Sequence, residues 1–211
     1  MIDFYTWTTP NGRKVSIMLE ECGLAYNLHL VNISMNQQFE PAFLKVSPNN
    51  KIPAIVDRET GTTVFESGAI LIYLADKTGR FLAKSGEARW KSIEWLMWQM
   101  AGLGPMSGQL FHFAAGAKEK IPYAIDRYAN EVARLLNVLE NRLVEEEFLA
   151  GEDYSIADMA AYPWVSAMMP MLTKNFKGLV KSHDYIDKWL KHVGDRPAVR
   201  RGMNVPPSDP K

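Results

Sequence analysis

Apolar and polar positions follow two periods in turn along this chain. Over roughly the first eighty residues short period-two stretches alternate with period-3.6 stretches. Ile2–Trp7 reads as a strand, and Arg13–Gly23 as a helix with Val15, Ile17, Met18, Leu19 and Cys22 inward and Gly23 as its stop. Tyr26–Ile33 reads as a second strand and Gln38–Val46 as a short helix or turn. Ala54–Asp57 and Thr62–Phe65 read as strands joined at Thr60-Gly61, and Ser67–Lys77 as a helix. The predicted order is β-α-β-α-β-β-α.

After a linker-like stretch, Phe81–Arg89, only the helical period remains. Trp90, Ile93, Met97 and Met100 form one stripe, interrupted by Gly102-Leu103-Gly104-Pro105. Tyr123–Leu143 predicts a long helix. Ser155-Ile156-Ala157-Asp158 has the spacing of a capping box and opens another helix, which Pro163 is expected to bend. Tyr185–Val193 is the last helix the pattern supports, and a loose Pro-rich tail is expected from Val205. The pattern therefore predicts an α/β domain over residues 1–80 and an all-helical domain over 88–204.

Composition narrows the chemistry. The 211 residues carry 24 Lys plus Arg against 24 Asp plus Glu, so bulk attraction to nucleic acid or an anionic membrane is not expected. The one cysteine excludes an internal disulfide and a Cys-rich metal site, and fits a reducing compartment. The start has no basic leader or long apolar run, which predicts a cytoplasmic protein. The six Trp and eleven Met sit mostly at helical spacings and are expected in the core.

Two short motifs carry the candidate chemistry. Ile52-Pro53 opens an apolar strand. A cis bond there would turn the Ile52 backbone outward, where an extended ligand could pair with it. Glu66-Ser67 lies where strand gives way to helix, and helix-start N–H groups receive a carboxylate well. Each motif alone reads as an ordinary turn or cap. Together they describe a receptor for a small peptide. Thr9, before Pro10 and the first predicted helix, is either an N-cap or a hydrogen-bond donor, with Asn11 and Thr8 beside it. No cysteine stands at this turn, and Cys22 reads as a small core residue.

These motifs, in this order of elements, make the chain resemble the cytosolic glutathione S-transferases over nearly its whole length. Thr9-Pro10-Asn11-Gly12, the run Ser47–Pro53, Gly102–Met106 and Ile121–Tyr128 are similar to the nu class, which itself resembles the fungal nitrogen regulators. The resemblance implies a thioredoxin-like first domain that binds glutathione and a helical-bundle second domain. It implies that Thr9 and Asn11 act at the glutathione sulfur. Glu66 and Ser67 would hold the γ-glutamyl end, Ile52 beside Pro53 the cysteinyl backbone, and Gln38 and Lys51 the glycyl end. Arg127 would act across the interface of a homodimer. Trp7, Met106, Phe111, His112, Phe113, Trp164 and Met168 belong either to the core or to a second-substrate pocket.

Lowering a thiol pKa from about 8.5 to roughly 7 needs about 2 kcal/mol of preferential thiolate stabilisation, within reach of one or two good donors. The implied activity is a glutathione-dependent thiol–disulfide oxidoreductase without a metal, in which bound glutathione is the only thiol and the partner is a small disulfide. A transferase or peroxidase acting on electrophiles or organic hydroperoxides is the alternative. A non-catalytic glutathione-binding regulator is another.

Overall fold

The computed structural model describes residues 1–176, 178–179 and 183–207. It divides into two compact units, Met1–Lys84 with Gly194–Lys211, and Ser85–Val193.

The first unit is built on β1 (Ile2–Thr6), β2 (Tyr26–Leu30), β3 (Ala54–Asp57) and β4 (Thr62–Phe65), in the order β2-β1-β3-β4. β1 and β2 are parallel, and β3 and β4 add antiparallel neighbours. The parallel pair demands a crossover, supplied by α1 (Pro10–Cys22). α3 (Ser67–Thr78) follows β4 and packs on α1. Alternation sets the two faces of the sheet. Ile2, Phe4 and Ile55 are buried along with Val15, Ile17 and Met18 of α1 and Ile70, Leu71 and Leu74 of α3. Tyr5 and Ile52 pack on a separate cluster of Val31, Phe43 and Ala54. Phe43 comes from the one-turn α2 (Pro41–Leu44), which with a 3-10 turn at Gln37–Phe39 fills the segment read as helix or turn.

The pattern missed α9 (Pro197–Gly202), which folds back onto α1. Six residues are too few to show a period. Arg196 grips Glu21 with both arms of its fork, at 2.6 and 3.0 Å, and Arg201 meets Glu20 at 2.6 Å. The Ser16 hydroxyl donates to the Gly202 carbonyl at 2.7 Å. A Cβ on Gly202 would stand 2.6 Å from the Ile17 nitrogen, so only glycine permits this approach. The expected loose tail is also corrected at its start, because Val205 N–H bonds the Gly202 carbonyl and Pro206 is buried. The rest of that tail, 208–211, lies outside the described residues.

The second unit is helical. α4 (Gly86–Trp98) passes through a π-helical segment, Gln99–Leu103, into α5 (Gly104–Phe111) and a further π segment, His112–Gly116. The expected interruption is thus no break. The Gly104 N–H reaches back to the Gln99 carbonyl, and Pro105 enters at the first turn of α5, where a missing N–H costs little. The stripe on α4 is corrected too. Ser92, Leu96, Gln99 and Leu103 are the buried positions, whereas Trp90 is 67% and Met97 44% exposed. Of the Trp and Met residues expected in the core, Trp189, Met18, Met159, Met168 and Met169 are buried, while most other tryptophans are half-buried and Trp90 is exposed.

α6 (Pro122–Glu145) buries Val132, Leu135, Leu136, Leu139 and Leu143. α7 (Ile156–Asn175) runs through Pro163 and Pro170, and α8 (Asp184–Gly194) follows. The Ser155–Asp158 capping box is present. Fully buried Asp158 also receives the Leu149 N–H at 3.0 Å and the Trp189 indole N–H at 2.9 Å. Burial pushes its pKa up, against those bonds. Glu140 of α6 accepts the Tyr185 and Ile186 N–H groups at 3.2 and 2.8 Å, so one helix caps the next.

Candidate functional site

Register places three strand ends at one edge of the sheet. β1 pairs with β3 up to Tyr5↔Ala54, and β3 with β4 up to Ala54↔Phe65. The residues that follow β1 (Trp7–Asn11), precede β3 (Ile52, Pro53) and follow β4 (Glu66, Ser67) therefore emerge side by side. β2 ends at the same edge, Thr6↔Leu30, and delivers the segment that contains Gln38. The N-termini of α1 and α3 both start here, and each presents orphan N–H groups and the positive end of its dipole. The edge is an anion-receptive floor between two helix starts.

The Thr9 oxygen accepts the Gly12 N–H at 3.2 Å and caps α1. A hydroxyl oxygen can accept one bond and still donate its proton, so the cap and the donor roles coexist. Asn11 is half-buried in the first turn, and Thr8 is half-buried beside Thr9. Gly12 is required, since a Cβ there would run into the Thr6 side chain and stand 2.7 Å from the Trp7 carbonyl.

The Ile52–Pro53 peptide is cis, and Ile52 lies beyond both ladders with its side chain in the Tyr5–Phe43 cluster. Lys51 is exposed, and its carbonyl is held by the Ser47 hydroxyl at 2.8 Å. The Gln38 Oε1 is buried without a hydrogen-bond partner among the described residues. Glu66 adopts φ 70°, a left-handed conformation uncommon outside glycine. Buried Ser67 opens α3. Arg127 is exposed on α6, in the second unit.

Two residues were missed. Lys14 is 1% exposed and donates to the Ser67 Oγ at 3.3 Å. Burial pushes its pKa down to about 7, and the Glu66 carboxylate pulls it back up. The signal was a lysine beside the buried stripe Val15, Ile17 and Met18. Asn49 donates to the Glu66 Oε1 at 3.3 Å and steadies it. It stands in the run Ser47–Pro53, but spacing alone gave it no role. Cys22 is half-buried near the far end of α1, 3.5 Å from the Thr78 hydroxyl, with its pKa raised chiefly by burial.

Of the residues weighed for a second pocket, Met168 is buried, Phe111 and His112 are exposed, and Trp7, Met106, Phe113 and Trp164 are half-buried. Phe111, Ala114, Ile125, Ala167 and Met171 line an apolar hollow of about 520 Å³ within the second unit. Among the described residues no cluster of three His, Cys, Asp or Glu could hold a metal, and no helix is long and apolar enough to cross a membrane.

Comparison with known proteins places this arrangement. Residues 8–77 match the family model "Glutathione S-transferase, N-terminal domain", and residues 104–197 match "Glutathione S-transferase, C-terminal domain". The disulfide-bond oxidoreductase YfcG of Escherichia coli is 46% identical over 208 residues, covering 96% of this chain and 94% of its own. A glutathione transferase family member from Pseudomonas fluorescens, solved with two glutathione bound, is 45% identical. It covers 96% of this chain and 92% of its own at a TM-score of 0.89. A glutathione transferase from Pseudomonas putida, solved with one glutathione disulfide per subunit, is 43% identical. It covers 97% of this chain and 91% of its own at a TM-score of 0.87. Carrying both domains of that family in their order, the chain is a member of the glutathione S-transferases.

Proposed function

We propose that this protein is a glutathione-dependent disulfide reductase of the glutathione transferase type. The observation that carries the reading is the meeting of Thr9, Ile52 and Glu66-Ser67 at one sheet edge without a cysteine among them. The protein binds and polarises, and the thiol arrives with the ligand. The names of similar proteins support the same reading: one is a disulfide-bond oxidoreductase, one holds two glutathiones and one holds the disulfide.

In this reading residues 1–80 form the glutathione-binding domain and 88–204 the helical domain. Glu66 takes the γ-glutamyl ammonium, and Ser67 with the start of α3 takes the carboxylate. The Ile52 main chain, beside Pro53, pairs with the cysteinyl residue. Gln38 and Lys51 face the glycyl end, and Arg127 acts across a homodimer interface. Thr9 and Asn11 donate to the sulfur and favour its thiolate. That thiolate attacks one sulfur of the substrate disulfide, a mixed disulfide forms, and the departing thiolate takes up a proton. A second glutathione repeats the attack on the mixed disulfide, giving glutathione disulfide and a second free thiol. The cytoplasm, with its glutathione pool, is the compartment this chemistry requires.

The test is turnover of 2-hydroxyethyl disulfide, a chloronitrobenzene and a hydroperoxide by purified protein with glutathione. Disulfide reduction is expected to dominate, and Thr9→Ala is expected to lower it by about 10–100-fold while Thr9→Ser retains most of it. Strong conjugation or peroxidase activity with negligible disulfide reduction would overturn the reading in favour of an electrophile- or peroxide-directed enzyme. Tight glutathione binding with no turnover would make it a regulator.

A further inference from the structure

Lysine is almost never fully buried, because taking its ammonium out of water is costly unless something inside needs the charge. Lys14 is buried in α1 beside Val15, Ile17 and Met18. Its ammonium points to the first residue of α3, 3.3 Å from the Ser67 Oγ. A serine oxygen that accepts from Lys14 must turn its own proton elsewhere.

We infer that Lys14 is a positioning residue of the glutamyl-anchoring subsite, fixing the Ser67 hydroxyl and setting a positive charge behind the start of α3 where the ligand's α-carboxylate docks. The inference rests on the reading that this carboxylate binds at Ser67. The dipole of α3 and the Lys14 ammonium then act on one anion from the same side. The Glu66 carboxylate, held by Asn49 at the same junction, favours the charged form of Lys14. The basic side chains on and next to the helices packed against α1 hold acids of their own. Arg196, just before α9, and Arg201 of α9 hold Glu21 and Glu20, Arg200 holds Asp195, and Lys77 of α3 holds Asp57 and Glu59.

The test compares glutathione with 4-aminobutyryl-cysteinylglycine, which is glutathione without the α-carboxylate. Dissociation constants are measured for the wild type, Lys14→Met, Lys14→Arg and Ser67→Ala, with circular dichroism melts as the control for folding. Lys14→Met is expected to weaken glutathione about tenfold or more and the analogue less than twofold. The loss is expected in KM for glutathione rather than kcat, and Lys14→Arg is expected to recover most of it. Equal weakening of both ligands, or of neither, would overturn the inference.

If Ser67→Ala binds glutathione as the wild type does, the anchor reading falls and this inference with it. If Ser67→Ala weakens binding and Lys14→Met does not, only the role of Lys14 falls. One measurement needs no neutral variant. The Lys14 Hε resonance in the wild type, assigned by its loss in Lys14→Arg, is expected to shift on adding glutathione and not on adding the analogue. A shift with both, or with neither, overturns the proposal.

Discussion

At the scale of single residues, burial and partnership compete over the same charges with opposite outcomes. Burial pushes Asp57 up, but the Tyr73 hydroxyl at 2.7 Å, Lys77 at 2.9 Å and the Glu59 N–H outweigh it and hold the carboxyl down at about 2. For Lys14 burial wins. Its folded pKa of about 7 lies below the ordinary 10.5. Between those values the unfolded chain binds more protons than the native one, so stability rises with pH across that interval. Below about 7 both states are protonated and the cost of the buried charge is fully present. Urea midpoints measured between pH 7 and 9.5 are therefore expected to rise more steeply for the wild type than for Lys14→Met. Parallel slopes would show that Lys14 keeps an ordinary pKa. Asp57 acts on the acid limb: its contribution is present above about pH 4 and lost as pH falls toward 2.

At the scale of elements, the period of hydrophobic positions located most helices and strands, because each buries one side. It failed where something else decides the structure. The π segment Gln99–Leu103 carries one helix through Gly104-Pro105, and hydrogen-bond register rather than hydropathy makes that possible. The stripe through Trp90 and Met97 has the right spacing but the wrong face. Spacing reports a helix without saying which side is covered. α9 is held by ion pairs and a glycine contact, neither of which leaves a period.

The clasp between α9 and α1 yields a prediction. Glu21 is buried, and Arg196→Ala would strand its carboxylate at a cost of about 2 kcal/mol, lowered from the fully buried case by the exposure of Arg196. Gly202→Ala would lift α9 from Ile17 and cost about 1–3 kcal/mol. Both are expected to lower the melting temperature, read by circular dichroism, and to weaken glutathione binding through displacement of α1. Unchanged melting in both would show that α9 does not brace α1.

At the scale of the whole molecule, the candidate site was legible in proportion to how much of it is backbone. A proline at a strand start and a serine at a helix start announce themselves, because the chain's conformation depends on them. Lys14 did not, because its role depends on a contact 53 positions away in sequence. The exposed Trp90 and Met97 on α4 bear on assembly. Apolar groups so placed favour a covered face. Sedimentation is expected to give a homodimer, and Trp90→Glu with Met97→Glu is expected to shift it toward the monomer. A concentration-independent wild-type monomer would remove both the interface and the part given to Arg127.

The return of α9 to the first unit has a consequence for how the protein is made. The residues that surround the candidate site are synthesised early, yet the Arg196 and Arg201 that secure α1 emerge only after the whole of Ser85–Val193. During translation Glu20 and Glu21 wait without their arginine partners. The unit that comes first in chain order is thus among the last to be completed, and full glutathione affinity is expected only once α9 has been synthesised.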